Sequence, residues 1–212
     1  MPFTTFLFDL DGTLIDSVAD LATGINLLRG ELALPPLDIP TVRSYVGDGA
    51  TALVRRALPE GEFSEARLQR FLELYSAHLM EQTVVYPGIL EFLELHAGRP
   101  MAVVTNKPLG FSLRLLEGLG LSGFFPVVLG GESCQAKKPD PAPVREALRL
   151  LGAKADSAVM IGDHHTDLKA GLGAGVRTCF CAWGIGSDDG EPYDFHAASP
   201  FDLPRLFPGG ER

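Results

Sequence analysis

Five short apolar runs punctuate the chain, and each ends in a polar or glycine-rich turn. They are Thr4 to Phe8 before Asp9, Met101 to Val104 before Thr105-Asn106, Pro126 to Leu129 before Gly130-Gly131, Ala158 to Ile161 before Gly162-Asp163, and Thr178 to Ala182 before Trp183-Gly184. Continuous apolar runs of this length predict strands buried on both faces, with a buried helix segment as the alternative that periodicity alone leaves open. Between them, apolar residues recur at helical spacing. Ile89, Leu90, Phe92 and Leu93 precede Gly98, and Leu109, Leu113 and Leu116 precede Gly118 and Gly120. Val144, Ala147, Leu148 and Leu151 follow Pro143 and stop at Gly152, with proline near the start and glycine just past the end of a helix. Alternating strand and helix predict an α/β fold with a parallel sheet covered on both faces.

The interval after the first strand breaks this rhythm. From Asp16 to Gln82 the pattern is helical only. Ser17-x-x-Asp20 opens a helix that carries Leu21, Ile25 and Leu28; Ser17 is read as its cap and Asp20 as a favourable first-turn charge. Leu34-Pro35-Pro36 ends that helix, a second spans about Ala50 to Leu58, and a third starts near Ser64 with Leu68, Phe71, Leu72, Tyr75 and Leu79 on one face. These 67 residues, 16–82, far exceed the ~2–6 of an ordinary strand-to-helix connection. They predict a helical cap domain inserted into a core built from 1–15 and 83–212.

Composition narrows the class. At roughly 150 residues per domain, 212 residues suit one large domain or a domain with a smaller companion. With 46% hydrophobic and 21% charged residues the chain is an ordinary globular one, not a disordered one. Its 18 basic and 27 acidic residues give a net charge of −9 with no basic run, which argues against nucleic acid and anionic membranes as main partners. No run approaches the ~18 apolar residues of a spanning helix. The N-terminus lacks a basic signal-peptide region, and three sparse cysteines make no disulfide framework, so a cytoplasmic protein is expected.

In an open parallel sheet, ligands bind beyond the carboxyl ends of the strands. There stand Asp9 and Asp11, then Thr105, Asn106 and Lys107, then Asp163 and Asp167, with Lys137 and Lys138 after the third strand. Carboxylates gathered at one edge raise one another's pKa unless a cation lies between them. Oxygen ligands without His or Cys suit Mg²⁺, which commonly shares its sphere with phosphate oxygens. A carboxylate can also attack phosphorus, and a second one two residues on can move the proton. A lone Asp-x-Asp usually just ends a strand; the further charged positions at later strand ends favour chemistry.

Four segments carry a resemblance. Phe8-Asp9-Leu10-Asp11-Gly12-Thr13-Leu14, Val104-Thr105-Asn106-Lys107, Lys138-Pro139-Asp140-Pro141 and Ile161-Gly162-Asp163-His164-His165-Thr166-Asp167 resemble, in order and spacing, the four motifs of the haloacid dehalogenase superfamily. The resemblance implies a Rossmann-like, doubly wound core with a helical cap. It implies Asp9 as nucleophile, Asp11 as general acid and base, Thr105 through its hydroxyl and Asn106 through its backbone N–H as phosphate holders, and Lys138 as the neutralising cation. It further implies Mg²⁺ held by Asp9, the backbone carbonyl of Asp11 and Asp163, with Asp167 beside them. Dehalogenases of the superfamily lack the second Asp, so Asp11 points to phosphatase or phosphomutase chemistry.

Within that branch the stretch from Val42 to Ala50, with Arg43, Gly47 and Gly49, resembles phosphoglycolate phosphatases. Arg43 is then a candidate for a substrate carboxylate, or an exposed helix charge, and the two glycines a substrate contact or a plain turn. The expected activity is Mg²⁺-dependent hydrolysis of a small phosphorylated metabolite, best 2-phosphoglycolate, by a monomer or homodimer. The alternatives are a β-phosphoglucomutase-like transferase and an idle phosphate-binding regulator. His164 and His165 depart from the family pattern; each reads as a tolerated loop residue or as a neighbour of metal water or phosphate, and ligation by His164 would favour Mn²⁺ or Co²⁺. Cys179 and Cys181 read as buried small hydrophobes, Lys137 as the alternative to Lys138, and 183–193 as a surface loop.

Overall fold

The computed structural model describes residues 3–209. In chain order the elements are β1 (Thr5–Phe8), β2 (Ile15–Asp16), α1 (Val18–Glu31), α2 (Ile39–Arg43), α3 (Ala50–Ala57), α4 (Glu65–Ala77), β3 (Val84–Val85), α5 (Ile89–Leu95), β4 (Met101–Val104), α6 (Leu109–Gly118), β5 (Val127–Leu129), α7 (Ala142–Leu151), β6 (Ala158–Gly162), α8 (His165–Ala174), β7 (Arg177–Cys181), β8 (Phe195–Ala197) and α9 (Leu203–Leu206).

Six strands form one parallel sheet in the order β5-β4-β1-β6-β7-β8. The five apolar runs are its first five strands in sequence order. The central strand β1 sets Phe8 opposite Val103 on one side and Ile161 on the other. Successive side chains leave a strand on opposite faces, so each apolar run feeds two cores. Phe6, Phe8, Val103, Val159 and Ile161 join one with α5 and α9, while Leu7, Ala102, Val104 and Met160 join the other with Val144, Ala147 and Leu148 of α7 and Ala170 of α8. Because β1, β4 and β6 lie side by side, Asp9, Thr105 and Asp163 emerge together at one sheet edge.

Between β2 and β3 the chain forms α1 to α4, returning beside its departure point through this short antiparallel pair. Leu21, Ile25 and Leu28 of α1 pack with Leu68, Phe71 and Tyr75 of α4 in one buried cluster. The Phe71 and Tyr75 rings stack at 5.8 Å. Gly24 admits this approach, since a Cβ there would sit 3.2 Å from both Phe71 and Tyr75. Each buried aromatic of this kind stabilises by about 1.5–3 kcal/mol.

Some local features depart from the sequence pattern and others, such as Asp20 in the first turn of α1, add to it. Ser17 precedes α1 but makes no capping bond; its hydroxyl donates to Asp11 Oδ1 instead, at 2.5 Å. Asp20 is fully buried and accepts from the backbone N–H groups of Gln82 (3.0 Å) and Thr83 (2.8 Å) and from the Thr83 hydroxyl (2.6 Å), tying the return of the chain to α1. In α6 the buried face is Ser112, Leu115 and Leu116, while Leu113 is exposed. Strand β8 and helix α2 have no counterpart in the periodicity, being three and five residues long. Cys179 and Cys181 are free and buried, as read. No helix among the described residues is long and apolar enough to cross a membrane.

Candidate active site

Asp9 follows directly on β1, its N–H bonded to the Ile161 carbonyl at 3.0 Å. The chain then turns tightly, with the Leu14 N–H on the Leu10 carbonyl at 3.0 Å. Gly12 sits in this turn at φ +87°, where a Cβ would fall 2.2 Å from Asp163 Oδ2. Both the backbone region and the close approach therefore require glycine. Thr13 donates its hydroxyl to Asp163 Oδ1 at 2.8 Å. The other oxygen of Asp163 accepts from the backbone N–H groups of Ile185 and Gly186, each at 2.9 Å. Trp183 donates its indole N–H to the Thr13 carbonyl at 3.2 Å. The start of the segment expected as a surface loop thus braces Asp163 and Thr13 from behind, a role composition does not reveal.

Asp167 stands in the first turn of α8 and is fully buried. Its Oδ2 accepts from the His164 N–H at 3.0 Å, and its Oδ1 from Lys138 Nζ at 2.5 Å. Lys138 Nζ also lies 2.8 Å from Asp9 Oδ1. Lys137 points elsewhere, onto the Asp48 carbonyl, so of the two lysines it is Lys138 that meets the carboxylates. Burial, with the nearby Asp167 and against the pull of Lys138, pushes Asp9 up to about 6. Burial and the charges of Asp9 and Asp167 push Asp163 up to about 7. Burial opposes the ammonium of Lys138, yet Asp167 and Asp9 hold it above its ordinary value.

The donor set can be tested for a cation. Asp9, Asp163 and Asp167 present carboxylate oxygens within 4.8 Å of one another. Three buried carboxylates face one buried ammonium, leaving two negative charges, the complement of a divalent ion. Asp9 Oδ1 is buried and receives no well-aligned hydrogen bond. All the donors are hard oxygens. The residues fit a divalent hard cation.

Asp11 stands apart from this trio. Its carboxylate pairs with Lys107 Nζ at 3.0 and 3.1 Å and accepts from Ser17. Lys107 in turn donates to the Tyr75 hydroxyl of α4 at 2.8 Å. Burial opposes the Lys107 charge, but Asp11 and Tyr75 hold its pKa above the ordinary lysine range. Burial raises the Tyr75 phenol as well. Neither Ser17 nor Tyr75 was read as a site residue, and Lys107 had no stated role. The available signal was the position of Lys107 directly after Thr105-Asn106 at a strand end.

These groups floor a small pocket. Its polar floor is Asp9, Asp11, Thr105, Asn106 and Lys107, and its walls include Leu21, Val46, Leu53, Phe71, Tyr75 and Phe111. The Asn106 amide donates to the carbonyls of Gly47 (3.1 Å) and Lys138 (3.0 Å), joining the 47–49 turn to the sheet edge. Asp9, Asp163, Asp167 and Lys138 therefore come together, with Asp11, Thr105 and Asn106 beside them. Arg43 is not among the residues lining this pocket. It donates to the Gly184 carbonyl at 3.1 Å and lies 3.7 Å from Asp16 Oδ2, bracing α2 against the segment after β7.

The pattern of the haloacid dehalogenase-like hydrolases matches residues 6–181, and the chain belongs to that family. A phosphoglycolate phosphatase of Pseudomonas savastanoi pv. phaseolicola is 38% identical to it over 96% of this chain and 78% of its own. One of Aquifex aeolicus is 37% identical over 94% of each. The crystal structure of a predicted phosphoglycolate phosphatase from Haemophilus somnus superimposes with a TM-score of 0.88 at 29% identity, covering 96% of this chain and 97% of the other. Family and relatives together make this protein an enzyme of the phosphatase class.

Proposed function

We propose that the protein hydrolyses a small anionic phosphomonoester through an aspartyl-phosphate, with 2-phosphoglycolate as the substrate, and that residues 16–82 act as a cap domain over the core. The observation that carries this reading is the placement of Asp9 on the pocket floor, 2.8 Å from the buried ammonium of Lys138 and with Asp11 beside it. A carboxylate so placed is a nucleophile aimed at a phosphorus atom that Lys138 helps to neutralise.

In this reading Asp9 attacks phosphorus and the ester oxygen departs with a proton from Asp11. A water then yields a proton to Asp11 and cleaves the aspartyl-phosphate, restoring the Asp9 carboxylate and the protonated Asp11. Thr105 and Asn106 hold the phosphate oxygens. Asp9, Asp163 and Asp167 would hold Mg²⁺, which when bound supplies positive charge to the phosphate oxygens. The walls contributed by α1, α3 and α4 exclude bulk water. The choice of 2-phosphoglycolate rests on the names of the relatives and on the small pocket.

The test is a screen of phosphorylated metabolites with Mg²⁺, ranked by kcat/KM for phosphate release, alongside Asp9→Asn. We expect 2-phosphoglycolate to rank first and the variant to lose all turnover while remaining folded. A higher rank for another ester overturns the substrate. Isomerisation of a sugar phosphate without net phosphate release makes the enzyme a mutase, and activity retained by the variant overturns the mechanism.

A further inference from the structure

A second cluster of ligating side chains lies at the seam between the α2–α3 turn and the sheet edge. Asp48, His164 and His165 each present a ligand atom within 4.8 Å of the others. Gly47 and Gly49, at φ +123° and +90°, bring the Asp48 backbone down onto the first ring, and a Cβ on Gly47 would lie 2.7 Å from His164 Nε2. The two imidazoles lie side by side with centroids 4.1 Å apart. The only side chain bonded to the Asp48 carboxylate, among the described residues, is that of Arg56, at Oδ2. Among the described residues Asp48 makes no hydrogen bond to either ring, though the ligand atoms of the three lie within 4.8 Å of one another.

His165 Nδ1 lies 2.9 Å from Asp189 Oδ2. His164 Nδ1 caps α8, accepting from the Thr166 N–H at 3.4 Å and lying 3.1 Å from Thr166 Oγ1. A carboxylate beside Nδ1, as Asp189 stands at His165, is the outer support that metal-bound histidines carry. Two imidazoles with one carboxylate suit Zn²⁺ and its neighbours, not Mg²⁺. We propose that Asp48, His164 and His165 form a second cation site, separate from the Asp9 trio, which takes a Zn²⁺-like divalent ion and fastens the 47–49 turn to the sheet edge.

Zn²⁺ is titrated calorimetrically into the Mg²⁺-loaded protein, and the binding lost in the His164 and His165 variants, whose carboxylate trio is intact, reads this site. We expect one equivalent more in the wild-type protein than in either histidine variant. His164→Ala, His165→Ala and Asp48→Asn should each weaken it at least ~10-fold, and Asp189→Asn, which removes only an outer partner, should weaken it by about 10-fold. Circular dichroism of each variant confirms that it is folded. Co²⁺ in place of Zn²⁺ should give visible absorption bands that the two histidine variants lose. Failure of the wild-type protein to take up a second ion, or unchanged affinity in the histidine variants, overturns the site. Unchanged affinity in Asp48→Asn alone overturns the fastening of the turn. None of these readouts depends on which phosphate ester the enzyme cleaves.

Discussion

The clustered carboxylates make a quantitative prediction for the metal-free protein. Asp163 is raised from 3.8 to about 7 in the folded state, and Asp9 from 3.8 to about 6. A carboxyl whose folded pKa lies above its unfolded value binds more protons folded than unfolded across that interval. Stability is then fullest below about pH 4 and is lost as pH rises towards 7. For Asp163 the interval of about three units corresponds to roughly 4 kcal/mol at ~1.4 kcal/mol per unit. In a chain of this length that is a fall in Tm of roughly 8–16 °C. The assay is thermal unfolding of chelator-treated protein at pH 5, 6, 7 and 8, with and without Mg²⁺, in wild-type and Asp163→Asn protein. Metal-free wild type should lose stability across the series. Mg²⁺ should stabilise it more at pH 8 than at pH 5, because the ion replaces protons that are no longer bound. Asp163→Asn should show a shallower slope and a smaller response to Mg²⁺. A metal-free Tm that is flat or rising from pH 5 to 8, or an unchanged slope in the variant, would refute the charge accounting and with it the argument for a divalent ion.

Three substitutions probe other contacts. Asp20→Ala strips the acceptor from two backbone N–H groups and the Thr83 hydroxyl; at ~1–3 kcal/mol per buried donor left unpaired, urea unfolding should show a loss of about 3–5 kcal/mol, and a loss below about 1 kcal/mol would count against the tether. Lys138→Met should lower kcat at least ~100-fold, a size typical of losing a charge-stabilising donor, whereas Lys137→Met should change it only a few-fold; equal losses would contradict the separation of the two lysines. Tyr75→Phe removes the hydroxyl that accepts from Lys107 and should cost about 1.5–3 kcal/mol of stability. If Lys107 positions Asp11, kcat falls with KM little changed; an unchanged kcat would make the Tyr75 contact structural only.

The sheet was legible because its strands are buried on both faces and carry unbroken apolar runs, a signal that survives in a single sequence. The missing elements are those whose stability is not local. Strand β8 has three residues, Phe195 to Ala197, and exists because β7 offers an edge. Helix α2 spans five residues and starts on the Asp38 side chain bonded to the Thr41 N–H at 2.9 Å. In α6 the Leu109, Leu113 and Leu116 stripe lies about a fifth of a turn from the buried face: the core takes Leu115 and Leu116 and leaves Leu113 in solvent.

The catalytic candidates divide along the same line. Asp9, Asp163 and Lys138 could be picked out because each follows a strand or its connection, and the strand order alone delivers them to one edge. The partners that hold Asp11 could not. Lys107 reaches it from 96 positions away and Tyr75 reaches Lys107 from 32, while Ser17, six residues on, carries a helix-start signature that its hydroxyl does not use. A polar side chain near a helix start has two competing acceptors, the helix backbone and whatever the fold brings alongside. A buried carboxylate is the stronger acceptor, because an ionised partner makes the shorter and stronger bond. Local propensity therefore names the helix correctly and its cap wrongly. The same competition connects the helical segment to the chemistry: Tyr75 of α4 touches Lys107, and Lys107 touches Asp11. The Asp11 carboxylate is thus held in part through Lys107 by a helix of the segment that walls the pocket.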